Sequence, residues 1–543
     1  MRPETSFFLL TLFSTVNAAV GPSLHSADRE AQYTAEGREK VLPSAFKTYL
    51  NNVKHTSVEL PAYSEERLPK VGISVSGGGY QGAWFSHPTE CRRFFGAGVL
   101  NALDARNASS VEKGTGGLLQ RRILVVTSLA QANFPTIQHL IFGDGRAEDY
   151  AGWLTDFNLF VASTDPAIQS VYAVEVLQEL AVKAEHFPVS VGDVWGRTLA
   201  RHFTNGMTLA TFFANTSHGA GILFSDLIDL PTFVSHQQPL PILAADLDSK
   251  HITGTGRSSL DPSLSFPSIA RFSNSIFKSF AGQVTSQSSL AFVVEMSCFD
   301  PVLGTTNNPV CVTGFDEAMF LSGASSNLWN EFNGTVGPRC FSSSSMILMP
   351  SLTPPAHRLD TCNFPNAFHG VVPETFADSG ETILALCDGG EDGEVSPLQP
   401  MLVKDRKIDV IIEIDVNSDG VTGENYAGGS SLVATGERMK IFQSGLAAFP
   451  RVPSNASTFA TEGLNTGPTF FGCRPSANET GPLLLSSAPL TNSSTGQMVY
   501  GEVELQGILQ QTFVVATQEW GACLACAVDR ARAREGARRS GVC

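Results

Sequence analysis

The sequence predicts an α/β protein: a layered central β-sheet with flanking helices. Short apolar runs of strand length alternate with stretches of helical period, the pattern of layered sheets. The first such run also stops abruptly in a glycine turn, the punctuation expected where a buried strand hands over to another layer. No internal repeat and no low-complexity tract interrupts this order.

The strand candidates, in order, are residues 71–75 (VGISV), 123–126, 241–246, 291–296 and 408–416. Helices are expected over residues 36–53, over 169–185 with Val171, Val174, Leu177 and Leu180 as the apolar face, and over 191–203. The last of these is opened by a Ser190/Asp193 cap pattern. Residues 254–309 are rich in Ser, Pro and Phe and lack a period, which reads as long surface excursions.

Composition narrows the function classes. The 543 residues carry a formal charge of −16, with 16% charged and 42% hydrophobic side chains. So much apolar content excludes disorder by self-repulsion. An acidic chain is also a poor match for phosphate backbones, so no nucleic acid is expected as a partner.

Arg2, the apolar run at residues 7–16 and Val16-Asn17-Ala18 form a secretory signal pattern, so residues 1–18 are expected to be removed. The run is too short to span a bilayer and no later one is long enough, so no transmembrane anchor is expected. The mature protein is expected outside the cell or at its wall. Sequons at Asn107, Asn215, Asn333, Asn455, Asn478 and Asn492 then become glycosylation candidates, and several of the ten cysteines should pair, in an order the sequence does not give. Cys523-x-x-Cys526 lacks a second ligand pair and reads as a disulfide participant. Asp415-x-Asn417-x-Asp419-Gly420 has Tyr426 where a calcium loop needs Glu, so no metal site is expected.

Two segments carry chemistry. Gly77, Gly78 and Gly79 follow the first strand directly, where bare backbone N–H groups can converge on an oxyanion. Asp388, followed by Gly389 and Gly390, is placed to face a cleft as a general base.

With their surroundings, these segments resemble the fungal phospholipase B (lysophospholipase) family, relatives of the cytosolic phospholipase A catalytic domain. The resemblance runs through VGISVSGGGY (71–80), FGAGVLNALDARN (95–107), NFPTIQHLIFG (133–143), DGGEDG (388–393), KIDVIIEID (407–415), PTFFGC (468–473) and WGACLACA (520–527). It implies one acyl-hydrolase domain over residues 19–543, with 19–70 as an N-terminal extension. It further implies a Ser-Asp dyad acting on acyl esters of phospholipids or lysophospholipids at a lipid surface, without a cofactor. Asp388 would be the base and Gly77, Gly78 and Gly79 the oxyanion region.

The pattern breaks at the nucleophile. The family's Gly-x-Ser-Gly-Gly-Ser element should lie within residues 121–132, which read RRILVVTSLAQA. Ser128 is the nearest serine, but Val126, Thr127 and Leu129 are poor company for a sharp elbow. Gln81 also stands where the family has an arginine, which removes a bidentate partner for a lipid phosphate. The literal sequence therefore implies an impaired hydrolase; the alternative is a catalytically dead relative that binds lipid or wall components.

Overall fold

The computed structural model describes residues 25–44, 49, 69–76, 95–119, 122–127, 154, 163, 165–184, 187–203, 207–213, 222, 229–247, 298–299, 310–311, 317–327, 359–365, 381–390, 393–416, 427–441, 446–472, 482–487, 499 and 501–518.

Its centre is a six-stranded sheet. The strands are β1 (Val71–Val75), β2 (Arg122–Thr127), β3 (Leu240–Leu243), β9 (Val410–Ile414), β10 (Thr469–Phe471) and β11 (Leu483–Ser487), in spatial order β10-β11-β9-β1-β2-β3. All neighbours run parallel except the edge pair β10–β11. Parallel strands need both faces covered, which is why β1 and β9 read as near-continuous apolar runs and are buried at every position.

Alternation sorts their side chains into two cores. Val71, Ile73 and Val75 join Val410, Ile412 and Ile414 against α2 (Phe95–Leu103) and α8 (Glu502–Gln518). Ile411, Ile242 and Leu484 face the opposite way, against Met401, Leu402 and α7 (Ser430–Ile441). The layered α/β expectation therefore holds.

A second, antiparallel sheet joins β4 (Ala245–Leu247), β8 (Ile383–Asp388) and β7 (Cys362–Pro365), and a two-stranded piece joins β5 (Cys298–Phe299) to β6 (Val310–Cys311). The single strand expected over 241–246 is thus two strands in different sheets, broken at Ala244.

Two further expectations are revised. The N-terminal helix α1 (His25–Lys40) begins ahead of the expected 36–53, and after a turn at Val41 residues 42–44 and 49 are helical again. Pro43 falls in the first turn of that second segment, where a missing N–H is tolerated, and the turn at Val41 closes α1 ahead of it. Tyr33 fixes α1, stacking on Phe233 at 4.0 Å and donating its hydroxyl to the Gln238 carbonyl. Helix α4 (Pro166–Ala184) buries Tyr172, Val176 and Leu180, while Val171 and Val174 are exposed. The reason is electrostatic. Arg201 of α5 (Val191–Phe203) is fully buried and must meet Glu175 and Glu179 at 2.9 and 2.8 Å, with Arg197 at 2.6 Å from Glu179. These pairs turn the glutamate stripe of α4 inward. The Ser190/Asp193 cap of α5 forms as expected, Asp193 accepting from the Ser190 N–H at 2.9 Å. The strand expected at 291–296 lies outside the described residues.

Candidate active site

The break at Ala244 builds the site. β3 ends in the large sheet, and β4 starts one residue later beside β8, with Ala245 opposite Asp388. Asp388 is the last residue of β8 and fully buried.

Its position is fixed from several directions. The Asp388 N–H donates to the Asn327 carbonyl at 3.0 Å, and the next amide, Gly389, donates to the Ser325 carbonyl at 3.3 Å. Its own Oδ1 accepts from the Gly390 N–H at 2.9 Å, closing an Asx turn. Ser325 and Asn327 lie just beyond α6 (Ala318–Ala324), and Asn327 Nδ2 donates to the Asp360 carbonyl at 3.0 Å, beside β7. The Gly390 N–H thus orients the carboxylate, while the Asp388 N–H ties the strand end to Asn327.

Deeper charges surround this turn. Asp246 on β4, Glu394 in the loop after β8 and Arg438 on α7 are all buried. Arg438 Nη1 is 3.4 Å from Glu394 Oε2. Burial pushes both carboxyl groups well above the ordinary carboxylate range, most strongly Glu394, which Asp246 also repels. The Arg438 charge acts chiefly on Asp246 and pulls it back down. Burial therefore favours the protonated form of both acids, and the guanidinium opposes it at Asp246.

The sheet supplies a second convergence. β1 and β2 are adjacent and parallel with Val75 opposite Thr127, so the chain leaves both at the same edge, about 4.8 Å apart. Ser76, the residue before the glycine run, is locked there, its N–H on the Ile414 carbonyl at 2.9 Å and its Oγ accepting from Val416 N at 2.6 Å. Strand C-terminal edges are where open α/β sheets place their ligands. Gly77, Gly78, Gly79 and Ser128 themselves lie outside the described residues.

Sequence reasoning missed Ser325, Asn327, Asp246, Glu394 and Arg438. Glu394 directly follows the motif at 388–393 and Asp246 ends the strand expected over 241–246; neither position marks a charge partner, and all five meet through the fold.

The modification candidates divide. Asn107 caps the helix α3 (Ala108–Glu112), accepts from Ser109 and Ser110 N–H, and donates its Nδ2 to Asn101 Oδ1 at 2.5 Å. It is only 5% exposed, so the fold uses this sequon as a cap and does not present it to solvent. Asn455 is exposed at the start of the helix Ala456–Thr461. Asn215, Asn333, Asn478 and Asn492 lie outside the described residues. Cys362 is a buried free thiol, and Cys387 directs its thiol to the Asp246 carbonyl, so the expected pairing does not extend to these two. No helix among the described residues is long and apolar enough to cross a membrane.

Comparison with known proteins fits this arrangement. The sequence profile of the lysophospholipase catalytic domain matches residues 71–543. Lysophospholipase 3 of Aspergillus fumigatus is 31% identical over 499 residues, 85% of this chain and 73% of that protein. A lysophospholipase of Penicillium chrysogenum is 28% identical over 573 residues, 96% of this chain and 86% of that protein. Among solved structures, human GIVD cytosolic phospholipase A2 superposes with a TM-score of 0.57 at 14% identity, over 93% of this chain and 67% of that one, a likeness of fold. The chain belongs to the lysophospholipase catalytic-domain family.

Proposed function

We propose that the chain is a secreted acyl-ester hydrolase of lysophospholipids and phospholipids in which Asp388 is the base and the N–H groups of Gly77, Gly78 and Gly79 receive the oxyanion. The observation that carries this reading is Asp388 itself: a buried carboxylate at a strand end, aimed by the Gly390 N–H and tied through its own N–H to the Asn327 carbonyl, in a chain of this family. In the reaction a serine Oγ attacks the acyl carbonyl and Asp388 takes its proton. The carbonyl oxygen gains the electron pair and is held by the glycine amides until it collapses. The alcohol half of the lipid then leaves with the proton, and water hydrolyses the acyl-enzyme by the same route.

Turnover is impaired in this reading, because Ser128 is the only serine directly after β2 and its β-branched neighbours resist an elbow. That same segment, with Gln81 in place of an arginine, favours a second reading: a non-catalytic glycoprotein that keeps the fold to bind lipid or wall components. Fatty-acid release from lysophosphatidylcholine by the purified protein separates the two. Hydrolysis is expected to be weak and to fall about 10²–10⁴-fold in Asp388→Asn. Release that is unaltered in that variant would remove Asp388 from the mechanism, and no release from the parent would leave the binding reading standing.

Passage through an oxidising compartment makes a separate prediction. In the β5–β6 pair Cys298 stands opposite Cys311, and opposed antiparallel residues have Cα atoms about 4.5–5.5 Å apart, within disulfide range. Non-reducing peptide mapping of secreted protein is expected to recover these two cysteines linked. Both alkylated as thiols would count against the secretory route.

A further inference from the structure

The three serines around the end of α6 differ in what their hydroxyls do. Ser322 donates to the Ala318 carbonyl at 2.9 Å and Ser326 to the Ser322 carbonyl at 2.8 Å, the ordinary back-bonding of a helical serine to its own preceding turn. Ser325, fully buried between them in the chain, reaches instead across 81 residues of sequence to the Ala244 carbonyl. Ala244 is the residue at which the chain leaves the large sheet, and its successor Ala245 pairs with Asp388. The Ser325 backbone carbonyl meanwhile accepts the Gly389 N–H. One residue thus grips both sides of the acid: the link into β4 through its side chain and the turn after β8 through its main chain.

We propose that Ser325 is a positioning residue for Asp388, its hydroxyl fixing the β3–β4 break so that the turn carrying the carboxylate has a single arrangement. The proposal rests on the reading of Asp388 as base. It does not make Ser325 the nucleophile. Its hydroxyl already donates to a carbonyl, and it sits at the C-terminal end of a helix, where the peptide dipoles disfavour a developing alkoxide. The anchor is itself anchored. Ser326 Oγ accepts from Trp195 Nε1 at 2.7 Å, tying this segment to α5, and Asn327 receives the Asp388 N–H.

The test compares two variants that each delete one buried hydroxyl, Ser325→Ala and Ser322→Ala, by hydrogen exchange of the purified full chain. A merely structural serine would make them alike. Positioning predicts that Ser325→Ala speeds exchange of the Asp388 and Gly389 amides about tenfold or more, while amides of α5 and β9 keep their protection. Ser322→Ala is expected to leave Asp388 and Gly389 unchanged, and Ser325→Thr, which retains the hydroxyl, to restore slow exchange and to stand in should the alanine variant fail to fold. Equal behaviour of the two alanine variants, or faster exchange in Ser325→Thr, would overturn the proposal. Fatty-acid release measured on the same samples separates the two claims. Release indifferent to Asp388→Asn defeats the base assignment, whereas the exchange comparison decides whether Ser325 holds the turn.

Discussion

An Arg438→Met variant is expected to lose about 3–5 kcal/mol of folding stability near pH 8 and to recover much of that loss near pH 5. Arg438 is the positive member of the buried group that includes Asp246 and Glu394. Removing it takes a positive charge away from two carboxyl groups in a low-dielectric interior, and acid relieves the cost by protonating both.

The parent protein carries a milder version of the same dependence. Both carboxyl groups have folded-state pKa values raised above the ordinary carboxylate range, first by burial. A raised acid binds more protons in the folded state than in the unfolded one. Its stabilisation is therefore fully present below the unfolded pKa, about 4, and is lost as pH rises through neutrality. Each proton held contributes a slope of about 1.4 kcal/mol per pH unit in that window. Glu394→Gln, which keeps a polar group beside Thr435 and Gln399 without the titration, should flatten the curve. Urea denaturation of the three proteins at pH 5 and pH 8 measures this. An Arg438→Met variant equally stable at both values would show that the guanidinium does not offset the buried acids.

The second large effect is steric. Helices α5 and α6 cross where Gly196 meets Gly323. A Cβ at Gly196 would lie 3.0 Å from the Met319 carbonyl oxygen and the Phe320 Cα, and one at Gly323 would lie 3.1 Å from the Gly196 Cα. These are backbone atoms, so neither helix can yield by turning a side chain. Gly196→Leu is expected to cost about 3 kcal/mol, the upper end of ordinary overpacking, although leucine is the better helix former by close to 1 kcal/mol. The strain also has a direction. Pushing α6 away carries Ser325 and Asn327 with it, and through them the Asp388 turn. Thermal denaturation and the hydrogen exchange of Asp388 should therefore worsen together. A Gly196→Leu protein with parental melting would mean the crossing is looser than this geometry requires.

What was legible in the sequence was whatever depends on neighbours along the chain. β1, β2 and the core of β9 show as apolar runs, α5 shows through its Ser190/Asp193 cap, and Asp388 shows through the glycines behind it. These signals survive because periodicity, capping and turn chemistry act over a few residues. The apolar face of α4 was misread for the converse reason. Spacing alone favoured Val171 and Val174, but the buried guanidinium of Arg201 required glutamates, and that demand comes from another helix.

The sequence by itself determined the family and the layered α/β architecture, and it put Asp388 forward as the candidate acid. Only the tertiary structure decided which groups surround that acid. The break at Ala244, the Ser325 grip, the buried group of Asp246, Glu394 and Arg438, and Asn107 as a buried cap all join groups brought together by packing. Hydrogen bonds and charges act over a few ångströms of space, whatever the separation along the chain, so 81 residues between Ala244 and Ser325 left no trace in the sequence of the bond between them.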